Sequence, residues 1–141
     1  MRLVLDTNIV VSALLWPGKP TKLIELATDG VVQLFASKSL IDELSDVLAR
    51  PKLASRVAAT RMSAAELVQN YRRLAYRVAA SKLESPISRD VDDDVVLFCA
   101  ITAKADAVVS GDQDLLVLRN VEGIAMLTVA QAIARIEQQN G

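Results

Sequence analysis

Four carboxylates lie where predicted strands or helices begin or end, and together they could hold a divalent metal ion. They are Asp6, Glu43, Asp94 and Asp112, and Asp6 directly follows the apolar run Leu3-Val4-Leu5. Two carboxylates about 4 Å apart repel by roughly 4 kcal/mol at the effective dielectric near a protein surface. If the fold brings these groups together, one carboxyl must take up a proton or a divalent cation must neutralise them. The metal alternative makes the chain a candidate hydrolase.

Composition excludes several other kinds of active site. The chain has no histidine, which excludes a Ser-His-Asp triad and a histidine-ligated zinc site. Cys99 is the only cysteine, so an internal disulfide and a thiolate metal cluster are excluded too. Carboxylates are hard oxygen ligands that suit Mg²⁺ or Mn²⁺. Such a metal lowers the pKa of bound water, so no histidine base is needed.

The size and hydrophobicity of the chain predict one globular domain over residues 1–141. Apolar residues make up 52% of the sequence, which favours a packed core. No apolar run reaches the roughly 18 residues that a membrane span needs. Asp6 also comes too early for a signal peptide. We therefore expect a cytoplasmic protein that does not associate with membranes.

Hydrophobic periodicity predicts strands that alternate with helices. The predicted strands are 3–5, 31–36, 107–110 and 124–127, with a short extended segment at 83–87. The predicted helices are 8–15, 20–28, 37–48, 63–80, 92–103 and 128–138, and capping boxes begin those at Ser63 and Thr128. The alternation predicts a single-domain three-layer α/β/α fold with a central, mostly parallel sheet. Ligands of such sheets bind beyond the carboxyl ends of the strands, where Asp6 and Asp112 are expected.

Each acidic residue also has a purely structural explanation. Asp6 with Asn8 could cap a helix, as could the triplet Asp92-Asp93-Asp94. The segment 111–114 could be a turn, because glycine and aspartate favour turns. Glu43 could be an ordinary surface residue. The order and spacing of all these residues together are more informative than any of them alone.

That combination resembles the PIN-domain nucleases, particularly their VapC-like toxin branch, over nearly the whole chain. The matching segments are Leu5-Asp6-Thr7-Asn8-Ile9, Ile41-Asp42-Glu43-Leu44, Arg89-Asp90-Val91-Asp92-Asp93-Asp94 and Ser110-Gly111-Asp112-Gln113-Asp114-Leu115. Asp94 and Asp112 are 18 residues apart, which fits one helix and one strand between them and favours Asp94 within its triplet. Val91 is a departure, because related sequences often carry proline there; we expect it to affect the turn and not the chemistry.

The resemblance implies a single-strand-specific endoribonuclease, with one or two Mg²⁺ or Mn²⁺ ions held by the four carboxylates as catalytic residues. It also implies supporting polar residues around them. These are Asn8, Ser110, Asp92, Asp93 and Asp114. As a toxin of a toxin–antitoxin pair, the protein would form a homodimer and bind a small antitoxin protein.

A basic segment at residues 51–83 could attract RNA to this acidic site. It carries seven cationic residues and the single acid Glu66, a net charge of +6. The expected phosphate contacts are Arg56, Arg61, Arg72, Arg73 and Arg77, the last three on one helix face. Tyr71 and Tyr76 could stack on unpaired bases. The alternative is an ordinary solvated helix whose tyrosines cover the core.

Two other functions fit part of the pattern. A non-catalytic PIN-like module could bind RNA or protein through the same fold. A haloacid dehalogenase-like phosphatase also begins with an acid after its first strand. That family resemblance needs a second aspartate two positions later, where this chain has Asn8. The usual general acid of the phosphatase would therefore be missing.

Overall fold

The sheet and helices are known from a computed structural model that describes residues 1–79 and 91–140, without the side chains of 91–93 and 140. The strands are β1 (Arg2–Leu5), β2 (Gln33–Ser37), β3 (Tyr76–Val78), β4 (Ala107–Val109), β5 (Asn120–Val121) and β6 (Ile124–Leu127). The helices are α1 (Thr7–Leu15), α2 (Lys19–Thr28), α3 (Lys38–Leu48), α4 (Ala54–Ala59), α5 (Ala64–Leu74), α6 (Val91–Ala103), α7 (Gln113–Leu116) and α8 (Val129–Asn140). A short 3₁₀ helix, Pro51–Leu53, precedes α4.

The strands of the described chain form one sheet in the order β3-β2-β1-β4-β6-β5. Every neighbouring pair is parallel except β5 with β6, which form an antiparallel hairpin. Glu122 and Gly123 turn this hairpin with φ values of 49° and 82°, the left-handed geometry that a tight two-residue turn requires. The predicted α/β fold with a mostly parallel sheet is confirmed.

Alternate residues of each strand belong to two separate hydrophobic cores, one on each face of the sheet. Leu3 and Leu5 of β1 belong to the core covered by α1, α2, α3, α5 and α8. Val4, between them, belongs to the core under α6 and α7. The two-residue repeat of a strand produces this division, because successive side chains point to opposite faces. The layers therefore follow the order helix, sheet, helix.

The predicted helix from Ser63 to about Ala80 is wrong in its second half. Helix α5 ends at Leu74, and Tyr76–Val78 form the edge strand β3. Two interactions favour the strand: β3 pairs with backbone groups of β2, and the Tyr76 ring stacks on Phe35 with centroids 5.4 Å apart. The helical basic segment is thus interrupted. The predicted extended segment at 83–87 lies outside the described residues.

Both predicted capping boxes are confirmed. Ser63 Oγ accepts from Glu66 N at 3.1 Å, while Glu66 Oε1 accepts from Ser63 N at 3.1 Å. Thr128 and Gln131 make the same exchange at 3.2 and 2.9 Å. The short elements α4, α7, β5 and the 3₁₀ turn were not predicted, because they are too brief for a periodic pattern. No described helix combines the length and the hydrophobicity needed to cross a membrane.

Candidate active site

The polar residues that end four neighbouring strands form a row across the carboxyl edge of the sheet. Leu5 lies beside Val109, and Val109 lies beside Leu127. One residue further along, Asp6 therefore lies beside Ser110, which lies beside Thr128. Asp6 N donates to Val109 O and Ser110 N donates to Leu127 O, both at 2.9 Å. Val4 pairs with Phe35, so Ser37 is level with Asp6 on the other side. We call Ser37, Asp6, Ser110 and Thr128 the carboxyl-edge row.

Ser110 connects the first and last of the predicted acidic residues. Its Oγ donates to Asp6 Oδ2 at 2.8 Å and accepts from Asp112 N at 3.0 Å. Ser110 is buried, whereas Asp6 and Asp112 are half-buried, so both bonds lie at the border of the core. A hydroxyl has a single proton, and donation to Asp6 fixes where that proton lies. The serine thus holds the Asp6 carboxylate and the loop that carries Asp112 in a defined relation.

Asp6 and Asp112 are also helix caps: the capping explanation is confirmed for Asp6, whereas Asp112, expected in a turn, begins the short helix α7. Asp6 Oδ1 accepts from Thr7 N at 2.8 Å at the start of α1. Asp112 Oδ1 accepts from Asp114 N at 2.9 Å at the start of α7. Each cap uses one carboxylate oxygen. Capping therefore orients both side chains, and the second oxygen of Asp6 accepts the proton of Ser110 Oγ.

Asp94 stands at the same edge of the sheet because of the direction of α6. At the other end of this helix, Arg2 Nε donates to Ala103 O at 3.1 Å, which holds the helix C-terminus beside the start of β1. Nine residues of helix rise about 14 Å from Ala103 back to Asp94. Four residues of strand rise about 13 Å from Arg2 to Asp6. Asp94 thus reaches the level of Asp6, and only 4% of its surface is exposed.

The remaining predicted acids and supports are spread over nearby elements. Glu43 is half-buried on α3, which begins at Ser37 in the carboxyl-edge row. Asn8 is exposed in the first turn of α1, and Asp114 is exposed in α7. The side chains of Asp92 and Asp93 lie outside the described residues.

Within the described part of the chain, no three aspartate, glutamate or cysteine side chains are grouped closely enough to hold a metal ion. Hydrogen bonds unite Asp6, Ser110 and Asp112, and the wider set of four carboxylates stays a prediction. The available donors still fit Mg²⁺ or Mn²⁺, since they are hard oxygens and Mg²⁺ keeps several waters with only one or two protein carboxylates.

Thr7 is a site residue for which the sequence suggested no role. It lies between Asp6 and Asn8, is 3% exposed, and its Oγ1 has no hydrogen-bond partner among the described residues. A buried hydroxyl without a partner costs about 1–3 kcal/mol, so a bound group beside Asp6 could recover that energy. The feature of the sequence that could have drawn attention to Thr7 is its position inside the first acidic motif, between Asp6 and Asn8.

The predicted RNA-binding arginines lie on several different elements. Arg56 has a structural role: its Nη2 donates to Leu15 O at 2.8 Å, and its guanidinium lies 4.9 Å from the Trp16 ring centroid. Arg72 and Arg73 are exposed in the last turn of α5, whereas Arg77 lies on β3. The prediction that these three share a helix face is therefore wrong. Arg61 is exposed after α4, with φ of 63°.

The two tyrosines of the basic segment have different environments. Tyr71 is buried, and burial raises the pKa of its hydroxyl, so it covers the core as the structural alternative predicted. Tyr76 is 57% exposed while one ring face stacks on Phe35.

A search of curated protein sequences found no match to this chain. A comparison with protein-family models found one that matches residues 2–114 and describes a PIN domain. That range includes every acidic motif and all of the sheet except β5 and β6. PIN domains are generally nucleases, and the match argues against the phosphatase alternative. The match covers most of the sequence, and the chain belongs to the PIN-domain family.

Proposed function

We propose that this protein is a metal-dependent endoribonuclease that hydrolyses single-stranded RNA at the carboxyl edge of its sheet. The observation that carries the proposal is the hydrogen-bonded set Asp6, Ser110 and Asp112, in which one buried hydroxyl orients two acidic motifs. Family membership supports a nuclease, and the restriction to RNA rests on the resemblance to the toxin branch. The reaction adds water to a phosphodiester and separates the strand into two products.

The residues proposed to hold Mg²⁺ or Mn²⁺ are Asp6 and Asp112, with Glu43 and Asp94 completing the acidic surface. When bound, such a cation supplies an activated water at neutral pH and neutralises charge that develops on the phosphate. Ser110 holds the Asp6 carboxylate through its proton and keeps Asp112 in reach. The chain contributes no histidine, so the proton that water releases would pass to one of these carboxylates or to solvent water.

The finer proposal is that the nuclease is the toxin of a toxin–antitoxin pair, forms a homodimer and binds a small antitoxin protein. Its support is the resemblance of the four acidic motifs to the VapC-like branch. Induced expression of the wild-type chain in a bacterial host should arrest growth, whereas Asp6→Asn should not. If cells that express the wild type and the variant at equal levels both continue to grow, although the purified wild type cleaves RNA, the result would favour a role in RNA processing.

The first test is cleavage of a mixed single-stranded RNA pool with Mn²⁺, Mg²⁺ or EDTA, with Asp6→Asn and Asp94→Asn alongside. Asparagine at position 6 retains an oxygen for the Thr7 cap, since Asn and Asp cap helices about equally well. The variant therefore removes the charge and leaves α1 intact. We expect cleavage that requires metal and that both variants lose, with unchanged circular dichroism.

Other outcomes of this assay separate the alternatives. Cleavage that persists in both variants would indicate a contaminating nuclease and contradict the proposed site. If the protein binds RNA, and binds Mn²⁺ in a calorimetric titration, but does not cleave the RNA, the result would favour the non-catalytic PIN-like module.

A further inference from the structure

A cleft beside the carboxyl-edge row contains two arginines that the basic segment at 51–83 does not include. The cleft has a volume of about 480 Å³ and lies between α7 with the residues that follow it, strand β6 and α8. Its polar lining is Gln113, Arg119, Thr128, Gln131 and Arg135. This volume is within the range of about 300–1,000 Å³ that is typical of ligand sites.

The two arginines come from rigid elements on opposite sides of the cleft. Arg119 adopts φ of 59°, and its carbonyl accepts from Met126 N at 2.9 Å, which ties it to β6. Arg135 lies on α8, four residues after Gln131 and seven after Thr128, so the three share one helix face. The neighbouring face of α8 is anchored by Ala132 and Ile136, which are buried in the core. The backbones that carry both cations are therefore held in place before any ligand binds.

Neither guanidinium is neutralised within the described part of the chain. The ion pairs found there are Lys22 with Glu137 and Lys38 with Asp42. Arg119 and Arg135 make no described side-chain hydrogen bond or cation–π contact. This distinguishes them from Arg56, whose guanidinium is engaged with Leu15 and Trp16. Two cations on one cleft, without a partner among residues 1–79 and 94–139, favour an anionic ligand.

The cleft has an apolar side as well as a cationic one. Leu116, Met126 and Leu127 complete its lining. A phosphate could accept from the arginines while the base of the same nucleotide lies against these side chains. Gln113 and Gln131 offer amide groups that can donate or accept hydrogen bonds at the base edge. This combination fits a nucleotide unit better than a free inorganic anion.

The position of the cleft connects it with the proposed active site. Thr128 belongs to the carboxyl-edge row, two strand spacings or about 10 Å from Asp6. Gln113 directly follows Asp112 in the chain. One RNA strand bound at Asp6 and Asp112 would therefore pass over the cleft. The cations there offset the repulsion between the strand and the acidic residues.

We propose that Arg119 and Arg135 bind the phosphate backbone of the RNA strand next to the scissile bond, with the base of that nucleotide on Leu116 and Met126. The inference deepens the proposed ribonuclease function and rests on it for the identity of the strand. It assigns the positioning of the substrate to the cleft formed by α7, β6 and α8, and not to the basic segment at 51–83.

The test measures equilibrium binding of a fluorescently labelled single-stranded RNA in EDTA, where cleavage does not interfere. The variants are Arg119→Ala, Arg135→Ala and their combination, with Arg50→Ala as the matched control. Arg50 is exposed at the end of α3, which begins in the carboxyl-edge row and runs away from it. Affinity is measured by anisotropy over a range of salt concentrations, and folding by circular dichroism.

We expect each cleft variant to reduce the slope of log affinity against log salt by about 0.7, the value for one phosphate contact on a single strand. The double variant should lose about twice as much, and Arg50→Ala should match the wild type. Arg135→Lys should keep most of the slope, because the charge remains. Inorganic phosphate at equal ionic strength should displace the RNA poorly.

Equal slopes for the wild type and the double variant, with both folded, would overturn the inference while leaving metal-dependent cleavage intact. Displacement by inorganic phosphate as effective as by unlabelled RNA would also overturn it, since the cleft would then be a general anion site. Conversely, a reduced slope in a protein that never cleaves RNA would support the cleft and contradict the proposed ribonuclease. The two failures are thus distinguishable.

Discussion

The two edges of the sheet use the same residue types for different purposes. At the amino edge, the Arg2 guanidinium donates to Ala103 O and lies 4.3 Å from the Phe35 ring centroid. On the same side, where α1 ends, Arg56 is held between Leu15 and Trp16. In the cleft beside the carboxyl edge, Arg119 and Arg135 have no such partners in the described chain. The acids Asp6 and Asp112 cap helices there, and Ser110 links the two motifs. Residue type alone therefore does not distinguish a structural arginine from a binding one.

The largest expected effect is the loss of catalysis when the carboxyl edge loses charge. Asp112→Asn keeps an oxygen for the Asp114 N–H and hence the cap of α7, but it removes a carboxylate proposed to hold metal. We expect RNA cleavage to fall by more than about 100-fold in kcat/KM, measured with saturating Mn²⁺. Cleavage within threefold of the wild type would remove Asp112 from the site. Melting temperature serves as the control for folding.

Ser110→Ala should have the next largest effect, because Ser110 orients two acidic groups without itself reacting. Loss of the hydroxyl removes the bonds to Asp6 Oδ2 and Asp112 N. We expect a decrease of about 10–100-fold in kcat and weaker metal affinity, the range for residues that support metal ligands. Calorimetric Mn²⁺ titration tests the second effect. Unchanged metal affinity together with reduced stability would indicate a purely structural serine.

Between the two edges, the buried thiol of Cys99 should make the stability of the protein depend on pH. Cys99 is fully buried on α6, and burial raises the pKa of its thiol from 9.0 to about 11, despite hydrogen bonding with Ser37 that lowers it. The unfolded thiol ionises first, so the contribution of Cys99 is complete below pH 9 and is lost as the pH rises towards 11. The expected loss is about 2 kcal/mol.

Urea denaturation of the wild type and Cys99→Ala at several pH values measures this effect. The variant retains Tyr71, whose pKa is raised by burial and further by charge on Cys99, so the difference between the two curves reports the thiol together with its effect on Tyr71. Parallel curves from pH 8 to pH 11 would contradict the prediction.

At the amino edge, Arg56→Ala should affect stability and leave catalysis alone. The change removes a hydrogen bond to Leu15 O and the contact with the Trp16 ring. Arg56 Nε is buried and has no hydrogen-bond partner in the described chain. The cost of removing this N–H from water offsets part of the stability that the hydrogen bond and the ring contact provide. We expect the free energy of unfolding to fall by about 1 kcal/mol. A loss of RNA affinity with unchanged stability would reverse the proposed assignment of the two edges.

The smallest effect is expected at Arg72 and Arg73. Tyr76 pairs at the level of Phe35, so these arginines precede β3 on the side away from the carboxyl-edge row. Their role in RNA binding stays a prediction from the sequence. We expect Arg72→Ala with Arg73→Ala to change the salt slope of RNA binding less than the variants of Arg119 and Arg135. An equal or larger change would show that the strand follows α5 and would break the comparison between the edges.

Much of this organisation could be predicted because it depends on local patterns. The buried strands at Leu3–Leu5 and Ala107–Val109 are short apolar runs, and the capping boxes at Ser63 and Thr128 are set by residues three positions apart. Asp6 and Asp112 each follow the end of a predicted strand. Because the carboxyl ends of parallel strands lie at the same edge of a sheet, the sequence predicted that both residues share that edge. Edge strand β3 was missed because pairing with β2 and stacking on Phe35 outweigh helical propensity.

The sequence by itself determined the alternation of strands and helices, the exclusion of histidine and thiolate chemistry, and the family to which the chain belongs. These follow from composition, from short-range periodicity and from the order of the motifs. Only the tertiary structure decided that Ser110 joins Asp6 to Asp112, that Arg56 stabilises the end of α1, and that Arg119 and Arg135 share a cleft. Each of those contacts joins residues from different elements, and strand pairing and helix packing, not sequence spacing, bring them together.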